Sequence, residues 1–212
     1  MAELKLKDMK PQLIFSFLRI SVKVLLIFMI VITALAFISS VSKFYGIQYG
    51  FNDSGLTYDV RKFGEKIKPQ ATVTSDNLIR FIPITDRYKV EIEPKSALGY
   101  YTSVSRIIFL SFGVVILYLF SKIFGEARLK DTFIRNVYRR LILLAAVFAI
   151  SDVFKIAHYI IFNKLMHKSV TTEHFELFTD VGNGLINGLV IYAIAIIYHR
   201  GLSIADENAL TI

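Results

Sequence analysis

The chain contains no cysteine. Disulfides, thiolate metal sites, thiol catalysis and lipidation on cysteine are therefore excluded together, while the redox compartment stays open, because a cysteine-free chain tolerates either environment. Charge is also scarce: only 20% of the 212 residues are Asp, Glu, Lys or Arg, against 54% hydrophobic, and long stretches such as VLLIFMIVITALAFISSV, from Val24 to Val41, carry none. A mean hydropathy of +0.53 lies above the range of water-soluble domains. Recognisable catalytic patterns are missing as well. There is no nucleophile elbow, no HExxH, no P-loop and no paired carboxylates, so neither an enzyme class nor a cofactor is indicated. Internal repeats and low-complexity tracts are absent too, which argues against a transporter built from inverted copies.

What remains is apolar length. Four stretches, 21–41, 103–124, 141–162 and 182–200, suffice to cross a hydrocarbon core, which takes roughly 20 helical residues. The first is longer than the ~7 to 15 apolar residues of a secretory signal and is expected to be a retained span. The net charge of +8 then reports orientation rather than nucleic acid. The residues 1–23, 122–140 and 200–212, which include Lys23, Lys122 and Arg200 at the span edges, together hold about +6 of it, and the positive-inside rule makes that side cytoplasmic. Both termini are expected there, in a bacterial inner membrane, with the lipid bilayer as the first partner and self-association left open.

The segment 42–102 is expected outside, with about three short strands in QATVTSD, LIRFIPI and RYKVEIEP, where β-branched and aromatic residues partly alternate. Lys66, Ile67, Lys68 and Pro69 read as a turn. Under ~60 residues without a disulfide make a marginal domain, so its apolar face is expected to rest on helix ends or on a partner. The resulting fold class is an all-α integral membrane protein of four helices with a small strand-containing insert between the first two. The connection 163–181 is expected outside; its His167, Glu173, His174, Glu176 and Asp180 match no compact metal motif and read as a solvated loop.

The sharpest feature is SDVFKIAHY in the third span. Asp152 and Lys155 stand i, i+3 on one helix face, where they could neutralise each other, and His158 comes next. Ionisable groups at such depth cost several kcal/mol unless paired or wet. Counting along antiparallel helices, Asn183 comes level with His158 and Asn187 with Lys155, while the GxxxG spacing of Gly184 and Gly188 allows close backbone approach. Arg106 is a third contributor or an interface residue. Two readings stand side by side: polar glue between helices, or a wet pocket that senses or binds a small ligand or a proton. In the latter case a small-solute or proton-linked transporter is the alternative function.

On the cytoplasmic side, GEARLKDTFIRNVYRR has apolar residues at helical spacing, and Arg139 and Arg140 anchor a headgroup boundary or form a partner surface. His199 and Arg200 read as interface residues and Gly201 as the helix end. In the tail GLSIADENALTI, Leu202, Ala205 and Ala209 share one helical face and Asp206, Glu207 and Asn208 the other.

That tail, together with FSKIFGEARLKDTFIRNVYRRL, resembles the bacterial membrane proteins catalogued as domain of unknown function 2975, over roughly Ser103 to Ile212. The resemblance implies a membrane partner of a small helix-turn-helix transcription regulator, with no agreed catalytic residues. In that picture Arg135, Arg139, Arg140, Asp206, Glu207 and Asn208 form the docking surface, and the chain itself does not contact nucleic acid.

Overall fold

The computed structural model describes residues 11–45, 56–62, 72–73, 80–81, 87–126, 134–169 and 175–209. Their order is α1 (Pro11–Tyr45), β1 (Leu56–Lys62), β2 (Thr72–Val73), β3 (Arg80–Phe81), β4 (Arg87–Ile92), α2 (Ala97–Glu126), α3 (Arg135–Ser169), β5 (Phe175–Leu177) and α4 (Asn183–Ala209). All four helices are long and apolar enough to cross a membrane. The turn expected at Lys66 to Pro69, together with Glu173 and His174, lies outside the described residues.

The chain divides into two compact units. The first comprises the residues up to Ser39, Arg106–Phe154 and the residues from Val181 onward; the second comprises Ser40–Ser105 and Lys155–Asp180. In the first, Leu119, Ile123, Val137 and Leu144 form the buried core, with Ile191 and Tyr198 of α4 packed against it. Gly184 and Gly188 set the α3–α4 distance. A Cβ on Gly184 would lie 2.8 Å from the Phe148 carbonyl oxygen, and one on Gly188 would lie 2.9 Å from that of Ala145. Aromatic edges do the same work between α2 and α3, where Phe109 meets Phe154 edge-on at 5.0 Å. On α1, by contrast, Phe17, Ile27, Phe28 and Leu35 are all exposed.

The second unit is built on a three-stranded sheet in the order β4-β1-β5, antiparallel throughout. Tyr58 and Val60 of β1 face one side while Thr57, Asp59 and Arg61 are exposed on the other, the alternation of a half-buried strand. The covered face meets helix: Val60, Ile92 and Leu177 are buried with Leu98 of α2 and with Phe162 and Met166 of α3.

Two of the sequence expectations need correction. The three segments expected to form strands do contain β2, β3 and β4, but among the described residues β2 and β3 pair with each other, and the main sheet is completed by β1 and β5. Since β5 comes from the connection after α3, the sheet does not belong to the insert alone, and 163–181 is not a plain loop. Gly201 does not end α4, which continues to Ala209. A helix-ending glycine takes positive φ, and among the described residues the glycine that does so is Gly182, at +111°.

Helix α2 starts with a local cap. The Ser96 hydroxyl accepts from the Gly99 N–H at 3.0 Å and donates to the Glu93 carbonyl at 2.7 Å. Gly99 is sterically required there, because a Cβ would lie 2.7 Å from the Pro94 carbonyl oxygen. Ser96→Ala should therefore destabilise the protein by about 1 kcal/mol, read as a lowered melting midpoint in detergent, with Ser203→Ala on the exposed side of α4 leaving the midpoint unchanged.

Candidate functional site

The polar residues of α3 divide between the two units. Asp152 belongs to the first, and its side chain is 0% exposed. Its Oδ2 accepts from the backbone N–H groups of Gly182 and Leu185, each at 2.9 Å. Those donors occupy the N-cap and third positions of α4, two of the amides that every α-helix leaves without an intrahelical acceptor. A serine or aspartate at the N-cap normally serves this purpose, but Gly182 has no side chain. The carboxylate of α3 substitutes for it, and its negative charge also suits the positive end of the α4 dipole. Gly184 makes the approach possible, since a Cβ there would come within 2.7 Å of Asp152 Oδ1.

Asn183 is the first residue of α4 and is exposed, as is Asn187 one turn on. Among the described residues the Asn187 side chain makes no hydrogen bond. Arg106 is also exposed.

In the second unit, His158 is 5% exposed and sits among aromatic rings. Tyr101 of α2 stacks on it at 5.4 Å with its hydroxyl 3.0 Å from Nδ1, while Tyr58 of β1 and Phe162 flank it at 6.5 and 5.9 Å. The Tyr58 hydroxyl donates to the Thr102 carbonyl at 3.4 Å. His158 thus joins sheet, α2 and α3 within one unit.

The rest of the α3 polar face keeps a four-residue spacing. Lys155 Nζ donates to the Asp180 carbonyl at 3.5 Å, and the Tyr159 hydroxyl donates to Glu176 Oε2 at 2.7 Å. Asn163 Oδ1 accepts from the Leu177 N–H at 2.8 Å, and His167 Nε2 lies 3.1 Å from the Phe175 carbonyl. These four stand i, i+4, i+8 and i+12 on one helix face, and all reach the segment that carries β5. Of them, Asn163 was not singled out by sequence reasoning, and neither was Tyr101. The spacing of the stripe was visible in the sequence; its partner was not. His167 and Glu176, expected in a solvated loop, thus hold β5 to α3. Among the described residues no group of three or more His, Asp or Glu side chains is placed to hold a metal ion.

At the opposite end of α3, the Arg140 guanidinium pairs with Glu126 at 2.5 Å and donates to the Lys122 carbonyl at 3.0 Å, both in the last turns of α2. Arg19 of α1 donates to the neighbouring Gly125 carbonyl. The Ile134 N–H donates to the Tyr198 hydroxyl at 2.7 Å, and the Tyr138 ring meets His199 edge-on at 4.7 Å. Arg135 and Arg139 on α3 and Asp206, Glu207 and Asn208 on α4 are exposed.

No family model, no curated protein and no solved structure matches the chain.

Asp152→Asn keeps an acceptor oxygen for Gly182 and Leu185, so it should fold. Asp152→Ala removes both charge-assisted bonds at a buried helix start and should cost about 3 kcal/mol or more. Comparing the melting midpoints of the two variants with the parent chain in the same detergent checks this, and equal losses would contradict the capping role.

Proposed function

We propose that the four apolar helices cross a bacterial inner membrane with both termini in the cytoplasm, and that the protein is a non-enzymatic sensor or regulatory partner of a cytoplasmic protein. The observation that carries this reading is the continuity of α3. It runs without interruption for 35 residues, about 50 Å at the usual rise. Near its first turns lie the exposed Arg135 and Arg139, and near its last lie the side chains that hold β5. One helix thus carries both the exposed arginines and the side chains that hold β5, which is what supports a regulatory reading. The positive-inside rule puts the arginines in the cytoplasm and the sheet outside.

The kind of partner comes from the resemblance over Ser103 to Ile212, which implies a helix-turn-helix regulator. Its docking surface is drawn from Arg135, Arg139, Asp206, Glu207 and Asn208. Arg140, bound to Glu126 and to the α2 carbonyl, contributes chiefly to holding α2 against α3.

The buried Asp152 favours a second reading, a small-solute or proton-linked transporter. Intramembrane acids often mark such routes.

Co-purification separates these functions. The regulator reading expects the product of an adjacent helix-turn-helix gene to be retained by the full chain. Truncation after Gly201, or Arg135→Glu with Arg139→Glu, should abolish that retention, and retention unchanged by both would sink it. The transporter reading instead expects flux into proteoliposomes that Asp152→Asn with Lys155→Met removes. For the topology, a reporter fused after Ile212 should be active only in its cytoplasmic form.

A further inference from the structure

We propose that the protein forms a parallel homodimer in the membrane through one face of α4, with Asn187 of each copy hydrogen-bonded to Asn187 of the other. The inference rests on α4 crossing the membrane, as proposed above, and is independent of the regulatory reading.

Two faces of α4 are distinct in the structure. Gly184, Gly188 and Ala195 are buried, and the two glycines lie against the α3 backbone. Asn183, Asn187, Val190, Ile194 and Ile197 follow one another in alternating steps of four and three residues, and all five are exposed. At 3.6 residues per turn this line stands roughly 100° around the helix from the glycines, so packing on α3 leaves it open. The steps are those of helices that pair side by side. Continued toward the cytoplasm, the line passes through Gly201, which permits close backbone approach, and Ile204. Arg200, Asp206 and Glu207 all fall off it, so no like charges would meet across a two-fold axis.

Exposure alone does not single out this line, since Leu189 and Ile196 on other faces are exposed too. Asn187 does. Arg200 marks the cytoplasmic end of the span, and the thirteen-residue step back to Asn187 is about 20 Å at the helical rise, inside a hydrocarbon core about 30 Å thick. The exposed Asn187 side chain makes no hydrogen bond among the described residues. Its amide carries both donors and an acceptor, which hydrocarbon cannot satisfy, and it is too short to reach the headgroups as a lysine would. Whatever covers it must bring a donor and an acceptor at that depth.

A second copy does so by identity. Copies inserted in the same orientation are related by a two-fold axis along the membrane normal, so a residue on the axis meets itself. Asn187 then faces Asn187, and each amide donates to the oxygen of the other. In the heptad counted along the line, Asn187 takes the position at which a single Asn fixes register and oligomeric state. The isoleucines and valine on the same line supply the packing around it.

Because the chain has no cysteine of its own, introduced ones map the contact in the full chain in liposomes. On oxidation, Val190→Cys and Ile194→Cys should cross-link to their counterparts, and Leu189→Cys and Ile196→Cys should not. Energy transfer between donor-labelled and acceptor-labelled copies gives the strength of association. Asn187→Leu should raise the dissociation constant about tenfold, Asn187→Gln, which keeps an amide, should raise it much less, and Leu189→Ala should leave it unchanged. Equal cross-linking on all faces, or energy transfer no greater than random crowding gives at every protein-to-lipid ratio, would overturn the dimer and leave lipid as the cover. Cross-linking along the line with a dissociation constant indifferent to Asn187→Leu would overturn the role of the amide. Should Asn187→Leu fail to fold, the cross-linking comparison decides alone. The reporter fused after Ile212 reads the topology separately, so its failure and the failure of the dimer are distinguishable.

Discussion

Each α-helix begins with four backbone N–H groups and ends with four carbonyls that have no partner within the helix. A soluble protein leaves many of these to water. In helices as apolar as these, proposed to lie in a bilayer, water is absent from the core and each unsatisfied group costs several kcal/mol. The termini that fall among packed helices are therefore met by side chains from elsewhere in the chain. Asp152 of α3 serves the start of α4, the Tyr198 hydroxyl of α4 serves the residue before α3, and Arg140 with Arg19 serves the last carbonyls of α2. The start of α2, by contrast, has a cap from its own neighbourhood, Ser96. The long-range caps fix helix register in a way that apolar packing alone would not, since leucine and isoleucine faces slide past one another at little cost.

The sheet depends on the same helices. Strands of three to seven residues give β1, β4 and β5 too little apolar surface to close a core by themselves. The missing half comes from Leu98, Phe162 and Met166, the extensions of α2 and α3 at and beyond the edges of the stretches that hydropathy marks out. This is why α3 runs on to Ser169 rather than stopping near Phe162. Its last turns have one face against the sheet and one bearing Lys164 and Lys168, both exposed. An amphipathic end attached to a uniformly apolar middle falls below a hydropathy threshold, yet it is good helix.

That difference explains how much could be read from the sequence. The four long helices follow from apolar length, a property of each segment alone. β4 follows from its alternation. β1 carried an equally clear alternation in Leu56, Tyr58 and Val60 against Thr57, Asp59 and Arg61 within the insert, and was not among the strands expected there. β5 could not be found, because a strand of three residues exists through β1 and α3 rather than through its own composition. Among the site residues, Asp152 stood out as a buried acid, and its spacing suggested Lys155 as a partner. Its service to Gly182 and Leu185 was hidden because caps are recognised by proximity in sequence, and this one acts across about thirty residues. Gly201 misled for the converse reason. Glycine costs a helix about 1 kcal/mol relative to alanine, and a single such cost does not end a helix that continues on both sides.

The polar residues of α3 thus do several jobs that the sequence alone presented as one cluster. Asp152 holds the beginning of the next helix. His158 is enclosed by Tyr58, Tyr101 and Phe162, rings contributed by β1, α2 and α3. Lys155, Tyr159, Asn163 and His167 bind the chain on its way from β5 to α4. A polar group in an apolar helix is retained at a cost, and a cost borne by so many neighbouring positions implies that what they hold cannot be held by apolar contact alone. An all-apolar face on α3 would bind the segment that carries β5 by burial, without selecting among registers. Directed bonds at four-residue intervals specify one register.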